Sequence, residues 1–189
     1  MKKLKMIRRV FSTILTGLVG LNAIGFTAVA ENTDPSYFTT QNENIIGYTG
    51  TDVNITLPLE INEVQITGIL GSAFKNNTTI ESIIIPEGYT YIGASNFRGC
   101  SSLKSVSLPS TMAGGNNIVL GNYQFRDCVS LEFVNIPEKI TNISMFAFTG
   151  CTNPNLVIDI QSLGVTTISS SAFTGVIGTI KTYSQTVYD

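Results

Sequence analysis

The chain has 189 residues, of which 43% are hydrophobic and 13% are charged, and it contains no histidine. The hydrophobic share suffices for a continuous core, whereas the lack of histidine excludes Ser-His-Asp triads, Cys-His nucleophile pairs and every histidine-based metal site. No Gly-rich phosphate loop or Asp-rich calcium loop occurs. A carboxylate pair for glycoside hydrolysis stays open, because acids distant in sequence can meet in the fold, but the thirteen Asp and Glu residues are scattered and fall mostly on the surfaces of the repeats. We therefore expect no catalytic, cofactor-binding or metal-binding residues, and no enzyme.

Residues 1–30 have the pattern of a secretory signal peptide. The positive head consists of Lys2, Lys3, Lys5, Arg8 and Arg9. Val10 to Val29 is mostly apolar and uncharged, and Ala28-Val29-Ala30 is a small-x-small cleavage site. The apolar stretch is long enough for an uncleaved membrane anchor, but Ser, Thr, Gly and Asn residues dilute it, which favours cleavage.

Removal of this signal peptide changes the charge of the chain. The segment holds five of the eleven Lys and Arg residues and none of the thirteen Asp and Glu residues, which leaves a net charge of −7. Binding to nucleic acid or to anionic membranes depends on Lys and Arg clusters. We therefore expect no nucleic-acid partner and, after cleavage, no membrane contact.

Two segments precede the repetitive part of the chain. Residues 31–44 are polar, contain Pro35 and show no periodicity, so we expect a mobile linker. Residues 45–65 resemble a capping segment, which a repeat array needs to cover its first repeat. In it, Ile55, Leu57 and Pro58 match Ile83, Ile85 and Pro86, which follow 28 residues later. Over residues 66–189 we expect about five repeats, with a degenerate last one.

The repeats share a motif centred on a phenylalanine that recurs every 23 to 28 residues. These residues are Phe74, Phe97, Phe125, Phe148 and Phe173. A branched aliphatic residue stands five positions before each, and Asn, Gly or Asp stands two positions after, where a left-handed backbone is tolerated. A fixed period of this length is typical of a solenoid, in which stacked repeats bury a common core.

In three successive repeats a stretch of alternating apolar and polar residues ends at a proline, namely Pro86, Pro109 or Pro137. This alternation predicts a short strand that ends at the proline. The segment around each phenylalanine is too short for a long helix and predicts one helical or 3₁₀ turn. Extra residues at about Met112–Asn117 predict a surface loop. The fourth repeat is irregular at Asn153–Asn155, and Ile177, Ile180 and Tyr183 depart from the pattern in the fifth.

The cysteines Cys100, Cys128 and Cys151 occupy one position of the repeat, which Asn77 and Val176 fill elsewhere. Cysteines in an exported protein suggest a disulfide, and the spacing of about 4.8 Å between parallel strands does not forbid one. Their odd number and shared position favour a ladder of buried, reduced thiols that behave as small hydrophobic residues.

These motifs resemble the BspA-like leucine-rich repeats of bacterial and protist surface proteins, whose repeat reads I-G-x-x-A-F-x-G-C-x-S-L-x-S-V-x-I-P. The best matches are Ile92-Gly93, Phe97, Gly99-Cys100, Ser102-Leu103, Ser105-Val106, Leu108-Pro109 and Ala147-Phe148-Thr149-Gly150-Cys151. The resemblance implies an α/β, β-rich fold, a right-handed leucine-rich-repeat solenoid with short parallel strands and short helical or 3₁₀ turns. It also implies a secreted or cell-surface scaffold that binds proteins, often in adhesion.

Stacked strands form a parallel sheet, in which the residues between the buried ones point outward. One outward row is Ser82, Ser105, Phe133 and Val157, and the next is Ile84, Ser107, Asn135 and Asp159. Phe133 and Ile84 stand out, because exposed apolar residues can mark a binding surface, although single ones are common and Phe133 could fold onto a neighbouring repeat. The candidate partner-binding face is Ser82, Ile84, Ser105, Ser107, Phe133, Asn135 and Asp159.

We expect an exported leucine-rich-repeat protein that binds an extracellular protein or glycan through this face. The alternative is a structural spacer, or a fragment of a larger surface protein, with no binding activity of its own. A contiguous apolar or aromatic patch on the face favours binding, whereas a uniform Ser, Thr and Asn face favours a spacer.

Overall fold

The computed structural model describes residues 33–112, 119–161 and 164–182, which stack as successive repeats of short strands and turns. The predicted signal peptide and most of the predicted loop at Met112–Asn117 lie outside the described residues. Helix is limited, within the described ranges, to one 3₁₀ turn at Pro35–Tyr37. The repeat architecture and the parallel strands confirm the predicted β-rich solenoid.

The main feature is a parallel sheet of six strands, here called the long sheet. Its strands are β3 (Asn54–Thr56), β7 (Ser82–Ile84), β9 (Ser105–Ser107), β11 (Phe133–Ile136), β13 (Val157–Ile160) and β15 (Thr179–Thr182). They lie side by side in chain order, one per repeat. Their inward residues, such as Ile83, Val106, Val134 and Ile158, are buried, since alternate residues of a strand point to opposite faces.

A second side of the solenoid carries two smaller sheets. The first contains β1 (Phe38–Gln41), β2 (Asn44–Tyr48), β6 (Gly68–Ile69) and β8 (Tyr91–Ile92). The second contains β10 (Val119–Leu120), β12 (Asn142–Ile143) and β14 (Thr167–Ile168). A hairpin of β4 (Glu60–Ile61) and β5 (Val64–Gln65) projects from the first repeat.

The linker predicted over residues 31–44 is wrong for residues 38–44. β1 pairs antiparallel with β2, and its residue Phe38 is buried opposite Tyr48. Because β2 lies parallel to β6 in the register of the repeats, β1 covers the outer edge of the first repeat. The polar composition hides this strand, since Phe38 is its one buried residue.

The segment 45–65 contributes to the stack instead of only covering it. β3 pairs in parallel with β7, with Ile55 directly opposite Ile83. Ile55 and Leu57 are as buried as their counterparts Ile83 and Ile85. The match between these positions, seen 28 residues apart in the sequence, is therefore a true repeat, and the covering role belongs to β1.

Each phenylalanine lies in a tight turn with left-handed residues, where a helical or 3₁₀ turn was predicted. Two residues after the ring, positive φ angles of 60° to 79° occur at Asn76, Gly99, Asp127, Gly150 and Gly175. This confirms the reason for Asn, Gly and Asp at that position. Two residues before the ring, Ser72, Ser95, Tyr123 and Phe146 also have positive φ. Such residues interrupt helical geometry, so each segment is a turn.

The phenylalanine rings form a continuous stack through the interior, here called the Phe ladder. From Phe74 to Phe173, successive ring centroids are 5.2 to 5.8 Å apart with interplanar angles of 10° to 23°. Tyr48 and Phe38 continue the stack at the N-terminal end. Phe173 is partly exposed, because no further repeat covers it within the described residues.

The thiols of Cys100, Cys128 and Cys151 are free and buried, as predicted. Each Sγ donates a hydrogen bond to the carbonyl of the ladder phenylalanine in the preceding repeat, at 3.1, 2.9 and 3.1 Å. Burial raises the pKa of Cys100 and of Cys151 to about 12 and also raises the pKa of Cys128. The thiols therefore stay protonated and tie neighbouring repeats together.

The irregular fourth and fifth repeats keep the register of the long sheet. Leu156 fills the core after Asn153–Asn155, and Ile158 pairs opposite Val134 one residue later than in the other repeats. In the fifth repeat Ile180 pairs opposite Ile158 but is 39% exposed, and Ile168 is 50% exposed. Both lie in the last described repeat, where the stack offers one neighbour instead of two.

Candidate functional site

The outward residues of the long sheet form two rows, here called the sheet face. The first row is Asn54, Ser82, Ser105, Phe133, Val157 and Thr179, and the second is Thr56, Ile84, Ser107, Asn135, Asp159 and Lys181. All seven residues predicted for the partner-binding face lie here. Their placement follows the predicted register, while their role in binding stays a prediction.

The apolar residues of the sheet face are Ile84, Phe133 and Val157. Phe133 is directly opposite Val157 on the neighbouring strand, and both are partly buried. Ile84 is 40% exposed, but β9 with Ser105 and Ser107 separates it from Phe133. The face therefore offers one adjacent apolar pair within a polar surface, an arrangement intermediate between a contiguous patch and a uniformly polar face.

Asn135 is committed to holding the sheet together. The backbone pairing of β9 with β11 ends at Val106 and Val134. Beyond that point the Asn135 side chain takes over, with Oδ1 accepting from Leu108 N at 3.2 Å and Nδ2 donating to Leu108 O at 3.4 Å. Its amide thus replaces a backbone pair, and a partner would have to compete for it.

Other polar residues of the sheet face differ in how many hydrogen bonds their side chains already make. Ser82 Oγ donates to Asn54 Oδ1 at 2.6 Å, so these two side chains are already hydrogen-bonded to each other. Asp159 accepts from Gln161 Nε2 at 3.4 Å through one oxygen, whereas its other oxygen is buried and has no hydrogen-bond donor among the described residues. Because that oxygen is enclosed by the protein, a partner could reach it only if the Asp159 side chain moved.

A groove of about 460 Å³ adjoins the second row at the proline end of the strands. Its lining residues are Glu87, Leu108, Ser110, Asn135, Pro137, Glu138, Lys139 and Gln161. Partial burial would raise the pKa of Glu87, but hydrogen bonds from Ser110 and Thr111 outweigh it and lower that pKa. Glu87 and Asn135 thus already bind neighbouring repeats, which leaves the groove few groups for a small ligand.

Sequence reasoning missed a second surface feature, on the turn side. Tyr123 and Phe146 occupy the left-handed position two residues before Phe125 and Phe148, and their rings stack at 5.3 Å. The available signal is that this position holds serine in the other repeats, at Ser72, Ser95 and Ser171.

Neither a metal centre nor a membrane span emerges from the described part of the chain. Among residues 33–112, 119–161 and 164–182, no three His, Cys, Asp or Glu side chains are grouped to hold a metal ion. The same ranges contain no helix of the length and apolarity that crossing a membrane requires.

Residues 67–186 match the BspA type leucine rich repeat region in six copies. No curated protein matches the sequence significantly. Three solved structures show how widely the fold is shared.

The leucine-rich repeat protein TpLRR of T. pallidum is 25% identical, with a TM-score of 0.65 over 76% of this chain and 67% of that one. A leucine rich cell surface protein of Faecalibacterium prausnitzii A2-165 is 26% identical, with a TM-score of 0.62 over 74% of this chain and 35% of that one. The pneumococcal vaccine antigen PcpA, at 18% identity and a TM-score of 0.53, shares the fold. The chain thus spans about a third of the length of two of these proteins.

Proposed function

Because the chain belongs to the BspA-type leucine-rich-repeat family, we propose that it is an exported cell-surface protein that binds an extracellular protein or glycan through its sheet face. Export is supported by the signal-peptide pattern of residues 1–30 and by similarity to a bacterial cell surface protein. Binding in place of catalysis is supported by the repeat family, while the lack of histidine removes only histidine-based catalytic and metal sites.

The observation that carries the proposal is the Phe133–Val157 pair on a rigid sheet. Parallel pairing on both sides fixes β11, so its outward side chains are held in place before a partner arrives. Preorganised aromatic side chains commonly dominate interface energies. The neighbouring outward pair on the same two strands, Asn135 and Asp159, gives the apolar pair a polar border.

The test is binding of the purified protein to arrays of extracellular proteins and of glycans. For any ligand found, Phe133→Ser should weaken binding by about tenfold or more, a loss of ~1.4 kcal/mol. Val129→Ser is the matched control, because it removes a 45% exposed apolar residue outside the sheet face. Equal binding by Phe133→Ser and the parent, combined with loss of binding on charge changes at Met112–Asn117, would place the site in that loop.

A spacer role is the second candidate, and it is favoured by the composition of the sheet face. All outward positions other than Ile84, Phe133 and Val157 are polar or charged. A spacer predicts no array signal above background for the parent, and no difference between Phe133→Ser and Val129→Ser.

Export is tested separately, by secretion from a bacterial host. Cleavage after Ala30 should give a secreted chain that begins at Glu31, which N-terminal sequencing and intact mass would detect. Retention of the full-length chain in the membrane fraction would instead support an uncleaved anchor.

A further inference from the structure

The turn side carries a group of side chains that the Phe ladder does not require. The group, here called the turn ridge, consists of Arg98, Tyr123, Arg126, Met145 and Phe146. The Tyr123 and Phe146 rings are stacked at 5.3 Å with an interplanar angle of 9°. They are partly exposed, whereas the ladder rings of the same turns, Phe125 and Phe148, are fully buried.

The backbone at the turn ridge is unfavourable for the residues it holds. Tyr123 and Phe146 have φ angles of 58° and 56°, a region that bulky side chains rarely adopt. Ser72 and Ser95 occupy the same position in earlier repeats, at φ 68° and 62°. Since Phe74 and Phe97 stack without aromatic residues at this position, the fold does not demand them, and strain of this kind is concentrated at functional sites.

Two guanidinium groups accompany the rings. The Arg126 Cζ atom lies 5.5 Å from the Tyr123 centroid and 5.7 Å from the Phe146 centroid, and the Arg98 Cζ atom lies 5.4 Å from the Tyr123 centroid. Arg126 Nε is 3.3 Å from the Asp127 carboxylate. In the described part of the chain, no ion pair within 4 Å involves Arg98.

The turn ridge therefore combines apolar surface with the positive charge of Arg98, which has no ion pair among the described residues, on a chain that is acidic overall. Met145, beside Phe146 in the sequence, is 49% exposed and extends the apolar part. A cation above an aromatic ring retains its charge and can still pair with a carboxylate. Charge complementarity thus favours a partner with acidic groups set next to apolar ones.

The geometry of the rings favours one class of partner over another. Tyr123 and Phe146 cover one face of each other, Arg98 lies over Tyr123, and Arg126 lies at the side of the stack, almost equally far from both ring centroids. A sugar stacks on an open ring face, whereas a peptide side chain can pack against ring edges and the exposed Met145. We propose that the turn ridge docks a protein segment in which a carboxylate neighbours an aromatic or branched aliphatic side chain.

The proposal does not depend on the sheet face, because the turn ridge and the long sheet are formed by different parts of each repeat. The experiment is selection of a phage-displayed random peptide library on the full chain, in parallel with selection on the Tyr123→Ser/Phe146→Ser variant. Serine is the residue of the other repeats at this position, so the variant should fold, and circular dichroism and thermal melting check this.

Peptides selected on the parent should be enriched in Asp or Glu beside Phe, Tyr, Trp, Leu or Ile. Their synthetic versions should bind the variant at least about tenfold more weakly, and their affinity should fall with added salt. Arg98→Gln, which keeps both rings, should lose affinity for Glu-containing peptides but not for their Gln counterparts. Phe133→Ser should bind as the parent does.

Several results would overturn the proposal. They are failure to select any peptide on the parent, absence of acidic enrichment, and equal binding by the parent and Arg98→Gln. Binding of an acidic oligosaccharide that competes with the peptides and is lost in Tyr123→Ser/Phe146→Ser would replace the peptide ligand by a glycan.

Discussion

On the long sheet, each outward side chain stands on an extended backbone that pairs with one or two neighbouring strands, so the backbone accepts almost any residue there. On the turn side, the first four ladder rings have a left-handed residue both before and after them, and the residue type is restricted there. The type of a single outward residue of the sheet, polar or apolar, therefore says little about function by itself. A bulky aromatic residue at a left-handed turn position has an energetic cost, and its presence calls for a reason.

The two sides should differ most in how much the free energy of unfolding falls when one aromatic ring is removed from each. Phe125→Ala on the turn side removes a fully buried ring between Phe97 and Phe148 and should lower the free energy of unfolding by ~3–5 kcal/mol. Phe133→Ala on the sheet side should cost about 1 kcal/mol, because this ring is partly exposed. Urea denaturation measures the free energy of unfolding of both variants. Equal losses in the two would contradict the expected difference between the turn side and the sheet side.

Replacing either of two buried amide side chains on the turn side by alanine should change the stability of the protein, in opposite directions for the two. Asn96 donates to Gly93 O at 2.7 Å and accepts from Ala73 N at 2.9 Å, so Asn96→Ala should cost ~1–3 kcal/mol. Gln124 takes the same position one repeat later, is 1% exposed, and its amide has no partner among the described residues.

Gln124→Ala should therefore stabilise the protein by ~1 kcal/mol, because a buried unpaired amide is removed. Alanine already stands at this position in other repeats, as Ala73, Ala147 and Ala172. Thermal melting of the two variants measures the difference, and a lower melting temperature for Gln124→Ala would show that its amide is satisfied.

The thiols predict how stability depends on alkaline pH. Burial raises the pKa of Cys128 above its usual 9.0, so the unfolded chain loses this proton from about pH 9 upward while the folded chain keeps it. The stability that this buried, protonated thiol gives to the folded state is complete below pH 9. It is lost as the pH rises further, by ~1.4 kcal/mol per pH unit and thiol. Between pH 8 and pH 10, Cys128→Ser should lose less stability than the parent. Parallel curves in urea titrations would mean that the thiol is accessible in the folded state.

The smallest effect is expected at the turn ridge itself. In Tyr123→Ser, the relief of about 1–3 kcal/mol of backbone strain is offset by the loss of ring stacking and cation–π contacts, about 0.5–1.5 kcal/mol each. The free energy of unfolding should change little. A loss as large as that of Phe125→Ala would show that the ring supports the core, and it would remove the strain argument for a functional role.

Much of the sheet side was predictable from the sequence, because burial of one face fixes the register of a strand. A slip by one residue would move Ile83, Val106 and Val134 to the surface, so the alternation alone places Ser82, Ser105 and Phe133 in one row. What could not be predicted is the engagement of Asn135 with Leu108, since this depends on where the pairing of β9 with β11 ends.

The sequence by itself determined the repeat, the buried positions of the Phe ladder and thiols, and the left-handed positions marked by Gly, Asn and Asp. These follow from burial and steric restriction, which act in each repeat alike. Only the tertiary structure decided that β1 covers the first repeat, that Gln124 is buried without a partner among the described residues, and that Tyr123 and Phe146 stack under two arginines. These features depend on which side chains of neighbouring repeats meet, and no periodic pattern in the sequence encodes such contacts.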